Sequence, residues 1–210
     1  HNGGTVEQPI DFPDLDAFGN NNYSIEVRDT IRVLDWIENS ELPVDRHQIN
    51  LLGHSRAGGI TTIVTAKEPR VSKLITLAGV AHYAERFPDA KGIEEWKEKG
   101  VTYVKNARTK QEMPLLYQFY EDFLQNEEEL TILKQAEKIK QPHLILHGEQ
   151  DEAVLVSDAH DLHKASPHSQ LKLIREANHT LGATHPWNSN LLPEDLRQAV
   201  QCMVNFLKGS

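Results

Sequence analysis

Ser55 sits where a hydroxyl can become a nucleophile. The run Gly53-His54-Ser55-Arg56-Ala57-Gly58-Gly59 follows the apolar stretch Ile49-Asn50-Leu51-Leu52 and precedes a helix-compatible run from Ile60 to Ala66. That order predicts a strand, a sharp turn carrying the serine, then a helix. Such a turn lifts the Oγ clear of the sheet and sets a backbone N–H beside it that can receive an oxyanion. Arg56, the residue after the serine, supplies that N–H. Small residues must flank the serine, because the turn crowds backbone segments together. Where the pattern asks for glycine two residues after the serine, the chain has Ala57. The plainer reading of the same segment is a strand-to-helix turn with a capping serine.

A serine attacks a carbonyl near neutral pH only with a base beside it, and the base needs a carboxylate to fix its tautomer. Pro142-His143-Leu144-Ile145-Leu146-His147-Gly148 reads as a short strand closed by glycine, with Glu149-Gln150-Asp151-Glu152 directly after it. Gln170-Leu171-Lys172-Leu173-Ile174 reads as another, with Glu176-Ala177-Asn178-His179 in the loop that follows. Ligands of open parallel sheets bind beyond the C-terminal ends of strands, which is where these residues fall. Glu149 and Glu152 compete with Asp151, and His185 competes with His179. Asp151 is preferred for its place after His147-Gly148. His179 is preferred because it follows its strand directly, whereas His185 precedes Pro186 and is restricted in backbone.

On the segments GHSRAGG, HLILHGEQDEAV and LKLIREANHT, the chain resembles the α/β-hydrolase superfamily, and most closely the small esterases related to dienelactone hydrolases and feruloyl esterases. The resemblance implies Ser55 as nucleophile, His179 as general base and then acid, and Asp151 as the group orienting the imidazole. It also implies what is missing. Such hydrolases place a strand and an Asp-x-Arg-Gly-His-Gly-x-Ser loop about fifty residues before the serine, and here His1-Asn2-Gly3-Gly4-Thr5 stands in that place. The chain is therefore expected to begin after the fourth strand, with the second oxyanion donor upstream of His1. Without the earlier strands, Ile49 to Leu52 is expected to present an unpaired apolar edge.

The elements that must position these residues read as α/β, a mostly parallel sheet with helices on both faces. Ser24 to Asn39 is predicted helical, with Val27, Ile31 and Leu34 on one face and Ser24 as cap. Strands at Ile49, Lys73–Gly79, Pro142 and Gln170 alternate with helices, which implies parallel pairing. His160 and His163 lie three apart on a polar helix near Ser157–Ala165, and a solvated face is preferred there to a metal pair. A last helix carries Leu196, Val200, Met203 and Leu207 on one face with Cys202, bounded by Pro193 and Gly209. Residues 1–80 and 141–210 are assigned to the hydrolase core. Residues 81–140 break the alternation and are assigned to an insertion over the site, with a hairpin around Asn106–Gln111 and an aromatic helix at Leu115–Gln125. From that helix Tyr117, Phe119 and Tyr120 are the candidates to line a substrate pocket.

Composition narrows the class. The formal charge of −9 argues against nucleic acid, and no apolar run approaches the ~18 residues of a membrane span. Cys202 is the single cysteine, which excludes an intrachain disulfide framework. No signal peptide is visible, though an upstream N-terminus would hide one, so the compartment stays open with cytoplasmic as the default. The expected activity is a metal-free, cofactor-free serine hydrolase cleaving small carboxylic esters through an acyl-enzyme. Peptidase or thioesterase chemistry on the same residues is the alternative, as is a catalytically silent scaffold with a binding role.

Overall fold

The structure is a computed structural model that describes residues 12–106 and 109–209. In chain order its elements are α1 (Leu15–Gly19), α2 (Tyr23–Asn39), β1 (Ile49–His54), α3 (Arg56–Lys67), β2 (Val71–Leu77), α4 (Ala90–Lys99), β3 (Val101–Lys105), β4 (Glu112–Leu116), α5 (Gln118–Gln125), α6 (Glu127–Leu130), α7 (Ile132–Ala136), β5 (His143–Gly148), α8 (Val156–Ala165), β6 (Ser169–Ile174) and α9 (Glu194–Lys208). They divide into two compact units. One joins the residues up to Glu26 to Ala84–Leu130, and the other joins Val27–Tyr83 to the chain from Thr131 onward.

The larger unit is built on a parallel sheet of order β1-β2-β5-β6. Its middle strands are buried nearly throughout, β5 at all six positions, as strands covered by helices on both faces must be. One face carries Ile75, Leu77, Leu144, Leu146 and Ile174, and α9 packs its Leu196, Cys202, Met203 and Phe206 against it. Phe206 takes the place expected for Leu207, which is 40% exposed. Lys73 Nζ donates to the carbonyls of Phe206 and Leu207, both at 2.8 Å, and so caps the negative end of α9. Cys202 is accordingly a packing residue. On the edges, β1 and β6 alternate between covered and open positions, and Leu52 on β1 is 51% exposed.

The opposite face of the sheet is polar at its centre. Thr76 on β2 and His143 on β5 are diagonal neighbours, since Thr76 pairs with Ile145 and Leu74 with His143, and His143 spans from Thr76 Oγ1 (3.0 Å) to Ser166 Oγ (3.1 Å) at the end of α8. The imidazole is fully buried. Burial, with a smaller contribution from His163, pushes it down to about 3.

The smaller unit is held by aromatic packing. Tyr23, Phe87, Phe119 and Phe123 form a cluster with ring centroids 4.7 to 6.5 Å apart, and Phe119 and Phe123 are buried on one face of α5. β3 and β4 make the expected hairpin, in register from Val101↔Leu116 to Lys105↔Glu112. Two expectations are corrected here. Leu115 and Leu116 belong to β4 rather than to the aromatic helix, because they pair with Thr102 and Val101, and the Leu115 carbonyl accepts from Trp96 Nε1 at 2.8 Å. Asn22, not Ser24, caps α2. Its Oδ1 accepts from Ile25 N at 2.9 Å, while Ser24 N donates to Asp122 Oδ2 at 3.2 Å.

The state of His143 makes a pH prediction. In the unfolded chain the imidazole takes up a proton near its ordinary 6.5, whereas the folded protein keeps it neutral down to about 3. Its contribution to stability is therefore complete above 6.5 and is lost as pH falls toward 3, at no more than about 1.4 kcal/mol per pH unit. Urea unfolding midpoints at pH 7 and pH 4.5 should differ more for the parent protein than for His143→Gln. Equal differences for the two proteins would show that His143 is not the group responsible.

Candidate active site

Three strand ends bring the candidate residues together. Ser55 is the single residue between β1 and α3, at φ 56° and ψ −125°, a conformation that a residue with a Cβ rarely adopts. Three backbone hydrogen bonds hold it there. Ser55 N donates to Leu77 O at 3.0 Å, while Ser55 O accepts from Gly58 N at 2.9 Å and from Val80 N at 3.1 Å. The turn also needs space. A Cβ on Gly53 would lie 2.3 Å from both the Ala57 carbonyl and Thr61 Oγ1, and one on Gly58 would lie 2.6 Å from the Gly79 Cα. Ala57 itself is exposed, so a methyl group there meets no such obstacle. This is why alanine serves in a place where the pattern prefers glycine.

Asp151 and His179 come from loops that are tied to each other. Gly148 closes β5 so near the second loop that a Cβ would sit 2.2 Å from the Ala177 carbonyl. Glu149 N donates to Ile174 O and Gln150 N to Ala177 O, each at 3.0 Å. Asp151 is buried, and its Oδ1 accepts from Ala153 N and Val154 N, both at 2.9 Å. Its Oδ2 lies 2.7 Å from His179 Nδ1. A carboxylate can only accept, so Nδ1 carries the proton and the lone pair is left on Nε2. Nε2 faces Ser55 Oγ at 3.0 Å. Serine, imidazole and carboxylate thus form one hydrogen-bonded line running from the half-buried hydroxyl to the buried acid.

The competing residues lie elsewhere. Glu149, Glu152 and His185 are exposed, and neither ring nitrogen of His179 is left for another acid. His163 bonds Ser169 Oγ at 2.8 Å through Nδ1, and His160 is exposed. Of the pocket candidates, Phe119 is buried in the aromatic cluster of the smaller unit, whereas Tyr117 and Tyr120 are half-buried, Tyr117 edge-on to Trp96 and Tyr120 tilted against both Trp96 and Tyr117. Arg56 opens α3, with its backbone N–H at the positive end of that helix's dipole. The turn His1–Thr5 lies outside the described residues.

Two more histidines belong to this neighbourhood, and composition alone could not place them. His147, at the end of β5, is fully buried. Its Nε2 donates to Val154 O at 2.8 Å and lies 3.4 Å from Asp151 Oδ2, while no described group reaches its Nδ1. His54 precedes the serine, and burial, followed by smaller influences from the groups around it, lowers its pKa from the ordinary 6.5. Backbone strain also gathers here. Besides Ser55, the residues Ala78, Glu176 and Leu181 have positive φ without being glycine, and they follow β2 or flank His179. Strained residues persist where surrounding structure over-determines them, and they cluster at sites of chemistry.

Comparison with known proteins gives the fold its name. No family model matches the chain, and no curated protein sequence is similar to it. Solved structures are. Est1E from Butyrivibrio proteoclasticus superposes with a TM-score of 0.62 at 16% identity, over 90% of this chain and 72% of that one. A monoacylglycerol lipase from Paleococcus ferrophilus gives 0.64 at 14% identity, over 90% and 76%. The esterase domain of a Rhodothermus marinus protein gives 0.51 at 19% identity over 78% of this chain, which spans 62% of that domain's length. The chain has an α/β-hydrolase fold. No described helix is long and apolar enough to cross a membrane.

The crowding at the turn can be tested without any substrate. Gly53→Ala should lower stability by about 3 kcal/mol or more, because the obstructing atoms include backbone that cannot swing aside. Ala57→Gly should change it by only about 1 kcal/mol, the ordinary helix penalty of glycine. Chemical denaturation of both variants measures this, and a Gly53→Ala protein as stable as the parent would contradict the packing described.

Proposed function

We propose that the protein is a serine hydrolase of carboxylic esters, acting through an acyl-enzyme. The observation that carries the reading is the line Ser55 Oγ–His179 Nε2 at 3.0 Å and His179 Nδ1–Asp151 Oδ2 at 2.7 Å, at the ends of β1, β5 and β6 of a hydrolase fold. In this mechanism Ser55 Oγ attacks the ester carbonyl and gives its proton to His179 Nε2. The Asp151 carboxylate stabilises the imidazolium so formed. The Arg56 N–H is suited to receive the developing oxyanion, aided by the α3 dipole. His179 then returns the proton to the departing alcohol, and water attacks the acyl-enzyme with the same histidine as base. The chemistry requires neither metal nor cofactor.

Ester chemistry is supported by the neighbours described as esterases and lipases, while two others, a dipeptidyl peptidase 4 from Porphyromonas gingivalis and a putative dipeptidyl aminopeptidase IV from Bacteroides ovatus, keep peptide-bond hydrolysis on the same residues as the second reading. Two of the similar structures are described as an esterase domain and a monoacylglycerol lipase, and one structure of Est1E is described as holding ferulic acid. A small ester is accordingly the proposed substrate.

A fluorophosphonate probe should label the protein, with the adduct mapping to Ser55 by mass spectrometry, and Ser55→Ala should not label. Hydrolysis of p-nitrophenyl acetate should vanish in Ser55→Ala. It should fall by about 10⁴-fold in Asp151→Asn, where the asparagine favours the wrong imidazole tautomer. Folded parent protein that neither labels nor turns over would leave the silent-scaffold reading in its place.

The aromatic helix gives a separate expectation. Phe119→Ala should lower stability by about 3–5 kcal/mol, the usual range for a buried phenylalanine, and should affect all esters alike. Thermal melts measure the loss, and a Phe119→Ala protein as stable as the parent would contradict the packing described.

A further inference from the structure

We propose that His54 is a positioning residue for His179, holding the loop of the catalytic base to the strand that carries the nucleophile. The inference rests on the hydrolase reading above and extends it to a residue outside the serine, histidine and aspartate. His54 Nε2 lies 3.1 Å from the main-chain carbonyl of His179, and the two imidazole rings lie side by side, with centroids 4.9 Å apart and planes 33° apart. A carbonyl accepts only, so His54 Nε2 carries a proton and donates it.

The mechanical consequence follows from chain order. His54 and Ser55 are consecutive, so one end of the strut is bonded directly to the nucleophile. The other end grips the backbone of the base. His179 is therefore held to its surroundings at three points, at Nδ1 by Asp151, at Nε2 by Ser55 and at its carbonyl by His54. Its loop is also closed on itself by Asn178, whose Oδ1 accepts from Thr180 N at 3.1 Å and Gly182 N at 3.0 Å, and it is joined to the loop after β5 by Gln150 N, which donates to Ala177 O at 3.0 Å. Neither tie reaches β1. The His54 bond supplies a main-chain tie from the loop to β1. A small displacement of the base would lengthen the Ser55–His179 bond, and misplacement of about 1 Å can cost on the order of 100-fold in rate.

The chemistry of the strut suits a neighbour that must become charged. His179 turns into an imidazolium during turnover, and a second cation beside it would oppose that step. The ionisable groups facing His54 are His179, Asp151 and His147. Burial of part of the ring holds His54 below the ordinary histidine range, which keeps it neutral around pH 7. The outer part of the residue remains open to solvent, so substitutions there do not cut into the core.

Three variants separate the tie from the ring. His54→Gln keeps an N–H donor and loses the ring; His54→Phe keeps a ring and loses the donor; His54→Ala loses both. With p-nitrophenyl acetate, kcat should fall about 10- to 100-fold in His54→Phe and His54→Ala, with KM within about 3-fold because the strut acts on His179 rather than on the ester. His54→Gln should recover to within about 3-fold of the parent, and fluorophosphonate labelling rates should follow the same order. Circular dichroism melts accompany each variant. Parent-like kcat in a folded His54→Phe or His54→Ala would overturn the proposal. Loss in all three variants in step with folded fraction would overturn it as well, by reducing His54 to a packing residue. A parent protein that fails to label at all would instead defeat the hydrolase reading, and the inference with it.

Discussion

The close approach of backbone to backbone around Ser55 is the constraint on which the rest of the larger unit depends. A side chain at positive φ is unfavourable by roughly 1–3 kcal/mol in isolation, and it persists only where neighbouring structure leaves no alternative. Here Leu77, Gly58 and Val80 each take part in a main-chain hydrogen bond to Ser55. Those bonds require β1, α3 and the chain after β2 to meet with almost no side-chain volume between them. Glycine at positions 53, 58 and 79 provides that absence of volume. The same contact draws β2 against the elbow and so fixes the register of the two strands, Gly53↔Thr76 and His54↔Leu77.

A second crowded junction performs the same service for Asp151 and His179. Gly148 abuts the Ala177 carbonyl, and two main-chain bonds cross between the loops after β5 and β6. The distance from Asp151 to His179 is thus set by the pairing of adjacent parallel strands rather than by the flexibility of either loop. Burial then sharpens the electrostatics. The Asp151 side chain has no exposed surface, while that of His179 keeps 22%. The carboxylate receives two backbone N–H groups in addition to the imidazole, which satisfies a buried anion that would otherwise be strongly unfavourable.

Much of this was legible in the residues. Strand ends carry loops, and ligands of parallel sheets bind beyond them, so position together with residue type marked Ser55, Asp151 and His179, the three side chains that the structure brings into one hydrogen-bonded line. Helix and strand periodicity located the sheet and α9 to within a few residues. The failures have a physical pattern. Ser24 was chosen as a cap by type, whereas the cap is decided by which side chain can reach the third N–H, and Asn22 does so. Leu115 and Leu116 were drawn into a helix by the aromatics that follow, but a hairpin partner overrides local propensity. Leu207 was placed on the buried face of α9 by spacing, while the face turns enough to prefer Phe206. Positive φ at Ala78, Glu176 and Leu181 has no signature in residue type at all.

The histidines show most clearly why residue type underdetermines role. His54, His143, His147 and His179 all lie on or just after strands of one sheet, and any of them could be taken for a base. Their surroundings sort them. His143 is locked between two hydroxyls with both nitrogens occupied and no route to solvent, so it can only brace the sheet. His147 is buried with Nε2 committed to Val154, and it can steady the acid loop but cannot exchange a proton with a substrate. His54 spends its proton on a carbonyl. Only His179 has one nitrogen on a carboxylate and the other, partly open to solvent, on a hydroxyl. Proton transfer at neutral pH demands both features together, because the carboxylate makes the imidazolium tolerable and access lets a substrate reach the hydroxyl.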